Sequence, residues 1–206
     1  MHPETSFDPP KSSFWTNALL VLVLLSLFGA IAIRILNPGR GVTATSHPGV
    51  GNQLSEVDFE PLVNTTTKVK LSDVVGKPAL INIWGPWCGP CLQEFPELSA
   101  LEKKHRVKND VQFLLVSSDG GAGQSREELA ADTQAVLRQN RSTAPIYYDP
   151  RGKVKSAIVT SARLDQFGYP TTIIIDKQGI IRAVWVGFNE LAVEEMELVL
   201  QQLSRE

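Results

Sequence analysis

Cysteine is scarce in this chain. Among 206 residues there are two, Cys88 and Cys91, three positions apart. Two cysteines cannot build the disulfide framework that holds small secreted scaffolds together. A bridge between them would close so short a loop that it adds little stability. Histidine is scarce as well, with three residues, of which only His105 lies beyond the first quarter of the chain. A structural zinc site takes four ligands, so Cys88, Cys91 and His105 fall short, and no metal or other cofactor is expected. Basic residues are not in excess: 20 Lys and Arg against 22 Asp and Glu leave a net charge of −2. That excludes the clustered positive surface on which nucleic-acid binding depends. Internal repeats are absent too. What remains is 43% apolar and 20% charged, the make-up of one well-buried globular domain with attached segments.

The longest uncharged stretch lies near the start. "FWTNALLVLVLLSLFGAIAIRIL" runs from Phe14 to Leu36 and carries no charge between Ala18 and Ile33. About 20 residues of helix cross a hydrocarbon core, and Trp15, Lys11 and Arg34 flank the run as interfacial residues do. The alternative is a cleaved signal peptide with "AIA" (Ala30–Ala32) as its cleavage site, although Glu4 and Asp8 make a poor leading segment. The expectation is a short tail (1–13) and a transmembrane anchor (14–36). A flexible Gly/Pro/Ser/Thr-rich linker, "NPGRGVTATSHPGVGN" (37–52), follows it, with a reach of about 20–24 Å. The few basic residues around the span do not orient it.

From Gln53 onward strands alternate with helices. "VDFEPLV" and "KVKLSDV" read as a strand pair around "NTTT", and "PALINIW" as a strand buried on both faces. After the cysteines, Leu92, Phe95, Leu98 and Leu101 recur every three residues, which places Cys88 at or just before a helix N-terminus. "VQFLLVSSD" is the next buried strand. Ser125 with Glu128 forms a capping box ahead of another helix. "APIYYD" is a short strand and "VKSAIVTSARLDQFG" mixed helix and turn. "TTIIID" and "IIRAVWVG" make a hairpin across "KQG", and Asn189 opens a closing amphipathic helix. The fold class is α/β, with a central mixed sheet flanked by helices.

A thiol attacks as its thiolate, so a nucleophilic cysteine needs its pKa lowered from about 8.5. The free N–H groups and partial positive charge of a helix N-terminus supply that at Cys88. Cys91, one turn on, is placed to resolve a mixed disulfide. Gly89 permits the tight turn, and Pro90 stands where no helical N–H is required.

"WCGPC" (87–91), Pro96 five residues later, and "GYPTT" (168–172) ahead of an apolar strand together resemble the thioredoxin-like superfamily. The resemblance covers roughly residues 50–203. The 82 positions between Cys88 and Pro170 leave room for a central insertion, Ser125–Asp149. With the N-terminal anchor, this resembles the membrane-anchored TlpA/ResA/CcmG-type thiol–disulfide oxidoreductases. The resemblance implies a thioredoxin-like fold, a cis peptide at Pro170, and the backbone of Tyr169 pairing with an incoming substrate strand. It implies Cys88, Cys91 and Pro170 as catalytic residues, with substrate contacts at Trp87, Gly89, Pro90, Tyr169 and Thr171. It also implies a soluble domain on the extracytoplasmic face of the cytoplasmic membrane. Oxidised proteins such as apocytochrome c would be substrates, and a transmembrane donor of the DsbD or CcdA type would supply electrons.

Thioredoxins carry a buried aspartate six residues before the first cysteine, where this chain has Asn82. Glu94, three residues after Cys91 and so its neighbour on a helix, is the expected substitute base, as in ResA-like proteins; a solvated surface glutamate is the alternative. Trp87 is read as docking surface, Trp84 as core and His105 as a helix-end residue without a role. Two other functions use related folds. Thiol peroxidases place Thr three residues before their cysteine, where this chain has Gly85. Sco-type copper chaperones use Cys-x-x-x-C and a later histidine, and no histidine follows His105.

Overall fold

The computed structural model describes Leu22, Leu24 and residues 44–206. The expected tail, nearly all of the expected anchor and the first part of the linker lie outside the described residues. Among the described residues no helix is long and apolar enough to cross a membrane.

Seven strands form one mixed sheet. They are β1 (Asp58–Val63), β2 (Val69–Lys70), β3 (Ala79–Trp84), β4 (Gln112–Ser117), β5 (Ile146–Tyr148), β6 (Thr171–Ile175) and β7 (Ile181–Val186), in the spatial order β2-β1-β5-β4-β3-β6-β7. Strands β3, β4 and β5 run parallel, while β6, β7, β1 and β2 pair antiparallel. All six residues of β3 are buried. Leu80 and Trp84 face one core, and Ala79, Ile81 and Ile83 the other. A continuous apolar run is what a strand covered by helices on both faces requires.

The first core packs under α2 (Gly89–Lys108) and α5 (Ala192–Leu203); α3 (Arg126–Gln139) adds Val136 and Leu137 to it. The second packs under α4 (Lys153–Ser161) through Val154 and Ile158. The expected insertion supplies α3 and the strand β5, which lies between β1 and β4. Ser125 caps α3 as expected: its Oγ accepts from Glu128 N at 3.2 Å, and its own N–H donates to Glu128 Oε2 at 2.8 Å.

Three local expectations change. "LSDV", read as strand, is a single helical turn, α1 (Leu71–Val74). Asp73 accepts the Lys70 N–H at 2.9 Å, and the buried pair Leu71 and Val74 is spaced for a helix. The closing helix starts at Ala192 rather than at Asn189. The Asn189 side chain accepts the Leu191 N–H at 3.0 Å, closing a local turn that competes with helix.

The third change concerns the linker. Residues 44–52 do not hang free; they wrap the outer edge of β7. Gly51 N donates to Ile181 O at 2.8 Å, Ile181 N to Asn52 O at 2.9 Å, and Gln53 bridges Ile180. Ala44, in a short 3-10 turn, enters the first core, and Gly49 lies against the backbone of Ala162 in the second. This strap satisfies an edge that would otherwise offer unpaired N–H and C=O groups to another chain. Composition suggested a tether because the segment lacks apolar period, but it is held by backbone hydrogen bonds, by the Asn52 side chain donating to Ser161 O at 2.9 Å, and by two small residues, Ala44 and Gly49.

A side chain at Gly49 would overlap rigid Ala162 backbone atoms. Gly49→Val is therefore expected to lift the strap and destabilise the chain by about 1–3 kcal/mol, the usual cost of overpacking. Urea unfolding of both chains measures this, and equal midpoints would contradict the docked strap.

Candidate active site

β3 delivers the cysteines to one edge of the sheet. After Trp84 the chain turns through Gly85 and Pro86, with Cys88 N donating to Gly85 O at 3.1 Å. Cys88 then takes an extended conformation (φ −89°, ψ 103°) as the N-cap of α2. Its sulfur accepts the Cys91 N–H at 3.2 Å, and its carbonyl accepts from Leu92 N at 3.0 Å. A cap normally uses a side-chain oxygen; here sulfur does the work. Once the disulfide is reduced, the Cys91 N–H and the helix dipole are placed to stabilise negative charge at that sulfur. Pro90 stands in the first helical turn and costs no hydrogen bond, and α2 continues through Pro96.

The structure holds Cys88 and Cys91 as a disulfide with Cα atoms 5.2 Å apart. Cys88 is 4% exposed and Cys91 1%. The order is the expected one, but the first sulfur is far less open than a surface nucleophile. Gly89 and Pro90 beside it are exposed.

Beneath the disulfide lies a buried polar pair. Asn82, on β3, is fully buried; its amide nitrogen donates to Thr172 Oγ1 at 2.8 Å and to Glu94 Oε2 at 3.3 Å. Glu94 is 3% exposed, so the surface alternative for this residue is ruled out. Burial drives its carboxyl up to about 7, against the opposing Asn82 hydrogen bond and with help from the Glu97 charge. A carboxyl titrating near neutrality, one helical turn from the resolving cysteine, is suited to accept and return a proton. Trp84 fills the core above it, its ring 4.5 Å from that of Phe95.

The Tyr169–Pro170 peptide is cis. Since Ile83 pairs with Thr171 in the sheet, the loop before β6 lies beside the strand end that carries the cysteines. No hydrogen bond from the described residues occupies the Tyr169 backbone. Thr171, expected to meet substrate, is instead fully buried; its hydroxyl donates to Gly168 O at 2.6 Å. As the first residue of β6 it points inward and braces the loop. On the other flank Gly187 N donates to Pro170 O at 2.7 Å, bringing exposed Val186 and Phe188 to the rim.

Trp87 is half exposed. Its indole N–H donates to Ser118 O at 2.8 Å, and its ring meets that of Tyr169 edge-on at 4.9 Å. Neither Ser118 nor the hydrogen bond of Asn82 to Glu94 was read from the sequence. The glycine-rich "SSDGGAG" after a buried strand was the available sign of a close-packed loop. His105 lies in the last turn of α2 but is buried, its Nδ1 2.8 Å from Asp110 Oδ1, and it takes no part in the site.

The comparisons agree with this geometry. A profile of the AhpC/TSA family matches residues 50–184. The thioredoxin-like protein YneN of Bacillus subtilis is 32% identical over 142 residues, 68% of this chain and 73% of that one. The thiol-disulfide oxidoreductase ResA of Oceanobacillus iheyensis is 28% identical over 192 residues, 93% of this chain and 88% of its own. Among solved structures, the exposed lipoprotein thioredoxin Etrx1 of Streptococcus pneumoniae superposes with a TM-score of 0.55 at 25% identity, covering 72% of this chain and all of that one.

Glu94 also makes stability depend on pH. Unfolded, its carboxyl ionises near its ordinary value of 4.5; folded, it holds its proton to about 7. Stability is therefore intact below the lower value, declines as pH rises between the two, and stays reduced above the upper. The advantage of Glu94→Gln over the parent chain is expected to grow by about 2–3 kcal/mol between roughly pH 4.5 and pH 8. Urea unfolding across that range measures it, and a difference independent of pH would contradict the assignment.

Proposed function

The chain belongs to the AhpC/TSA family of thioredoxin-like proteins, and from that premise we propose that it is a membrane-tethered, extracytoplasmic thiol–disulfide oxidoreductase that reduces disulfides in partner proteins. The observation that carries this reading is the sulfur of Cys88 at the N-cap of α2, accepting the Cys91 N–H.

In the reduced protein the Cys88 thiolate attacks one sulfur of a substrate disulfide. That bond breaks, a mixed disulfide forms, and the other substrate sulfur leaves as thiolate and takes a proton. Cys91 then gives its proton to Glu94 and attacks the Cys88 sulfur. The mixed disulfide breaks, the second substrate sulfur leaves as thiolate and takes the proton held by Glu94, and the Cys88–Cys91 disulfide seen here is formed. Two electrons and two protons pass to the substrate. An external dithiol must return them before the next cycle.

Reduction is the proposed direction because the Gly-Pro pair between the cysteines resembles that of thioredoxin, whose potential is about −270 mV, well below that of strong oxidants at about −120 mV. In an oxidising compartment that direction needs electrons from across the membrane, and a DsbD- or CcdA-type donor is the proposed source. The apolar run 14–36 would anchor the chain in the cytoplasmic membrane with the domain outside. Apocytochrome c is the proposed acceptor class. The substrate strand would pair with the Tyr169 backbone, and Trp87, Val186 and Phe188 would supply apolar contact, as interfaces centre on such residues.

A thiol peroxidase is disfavoured by packing. A Cβ at Gly85 would come within 2.5 Å of Trp87 Nε1 and 2.6 Å of Ser118 O. The threonine that such enzymes place there has no room while the Trp87–Ser118 contact exists.

Cys91→Ala, expressed in the native host, is expected to accumulate mixed disulfides through Cys88, seen as dithiothreitol-sensitive adducts on non-reducing gels. Absence of adducts would count against the mechanism. Glu94→Gln is expected to slow resolution of a preformed mixed disulfide at least tenfold near neutral pH, within the usual range for a lost general base. Its rate of initial attack should change little. Stopped-flow measurement of the two steps separates them, and equal slowing would remove Glu94 from the proton path.

A further inference from the structure

Every polar group of Ser118 is committed, and three of its four bonds tie the β4–α3 loop to the rim of the site. Its N–H donates to Trp84 O at 2.8 Å, and its carbonyl accepts the Trp87 indole N–H at 2.8 Å. Its hydroxyl oxygen accepts from Gly120 N at 3.1 Å and lies 3.1 Å from the Tyr169 hydroxyl. With Gly120 N donating in, the Ser118 proton is free to go to Tyr169. Trp87 and Tyr169 come from segments 82 positions apart, yet both are bonded to this one residue.

The surrounding packing is cut to the same purpose. A Cβ on Gly85 would strike the indole at its nitrogen, and one on Gly120, whose φ is +67°, would overlap its six-membered ring. Trp87 thus packs closely against two glycines, half exposed and still held. The Tyr169 ring is braced by Trp87 at 4.9 Å and by Phe167 at 5.0 Å, both edge-on.

We infer that Ser118 is a positioning residue that locks Trp87 and Tyr169 into one rigid platform beside Cys88, against which the substrate polypeptide is laid. The inference rests on the oxidoreductase reading and adds to it the residue that pre-orders the contact surface. An aromatic pair fixed before binding loses less freedom when the substrate arrives, so the platform lowers KM for a polypeptide more than it raises kcat.

The test uses the whole chain in detergent, with insulin as the protein disulfide. Ser118→Ala is expected to raise KM about fivefold, the equivalent of one net hydrogen bond, with kcat changed less than twofold. Ser118→Thr, which keeps the hydroxyl, restores the parent KM. Tyr169→Phe removes the same bond, so combining it with Ser118→Ala raises KM no further than either alone. An unaltered KM, a loss confined to kcat, or additive effects would overturn the proposal. A second measurement does not depend on turnover. The near-ultraviolet circular dichroism of the Trp87–Tyr169 pair, taken as the difference from Trp87→Phe, should weaken in Ser118→Ala, which frees the Tyr169 ring while keeping the carbonyl bond to Trp87, and return in Ser118→Thr. Its persistence at full strength in Ser118→Ala overturns the platform. If the parent chain fails to reduce insulin, the oxidoreductase reading falls, and the dichroism still decides the role of Ser118.

Discussion

One hydrogen bond organises the site: the Cys91 N–H given to the sulfur of Cys88 at the start of α2. It joins the first redox sulfur to the backbone of the second cysteine, and it exists because a strand buried on both faces ends where a helix begins. β3 supplies the rigid approach. The turn at Gly85–Trp87 supplies the change of direction. Gly89 and Pro90 let the helix start without an unmet donor. Any change that moved the helix start by a residue would leave a thiol with the same neighbours and none of the stabilisation.

Below this cap the protein has placed an ionisable group where burial works against its charge. Glu94 is hydrogen-bonded to an amide rather than facing a second carboxylate. An aspartate at position 82 would set two acids about 3 Å apart, and like charges at that separation do not ionise together; the Asn82 amide nitrogen, 3.3 Å from Glu94 Oε2, donates instead. Glu94 alone is left to titrate near neutrality. With asparagine on the strand, the buried carboxyl of the pair is carried by the helix instead. Above the cap, the Trp87–Ser118–Tyr169 cluster uses the same economy, as short loops with small residues hold large aromatic ones.

The chemistry was more legible than its support. Cys88, Cys91, Glu94 and the Ser125 capping box declare themselves through spacing along a helix, and "LINIW" through an unbroken apolar run. Pro170 was recognised only by resemblance, because no local pattern separates a cis proline from a turn proline. Thr171 was misread because which face a strand's first residue takes depends on register with β3, which is set by partners distant in sequence. The strap at 44–52 was missed for a related reason. It is held by backbone hydrogen bonds and by polar side chains such as Asn52, and its tightest contact is made by a glycine, so none of these leaves a hydrophobic signature. Ser118 shows the same limit, since three of its four bonds reach other segments of the chain.

The central claim, that a helix start makes the Cys88 sulfur acidic, is tested most directly by titrating the fully reduced chain and following ultraviolet thiolate absorbance. The account predicts that one thiolate forms well below the ordinary thiol value of about 8.5 and that Cys88→Ser abolishes this first step while Cys91→Ser leaves it. Both thiols ionising near the ordinary value would contradict it.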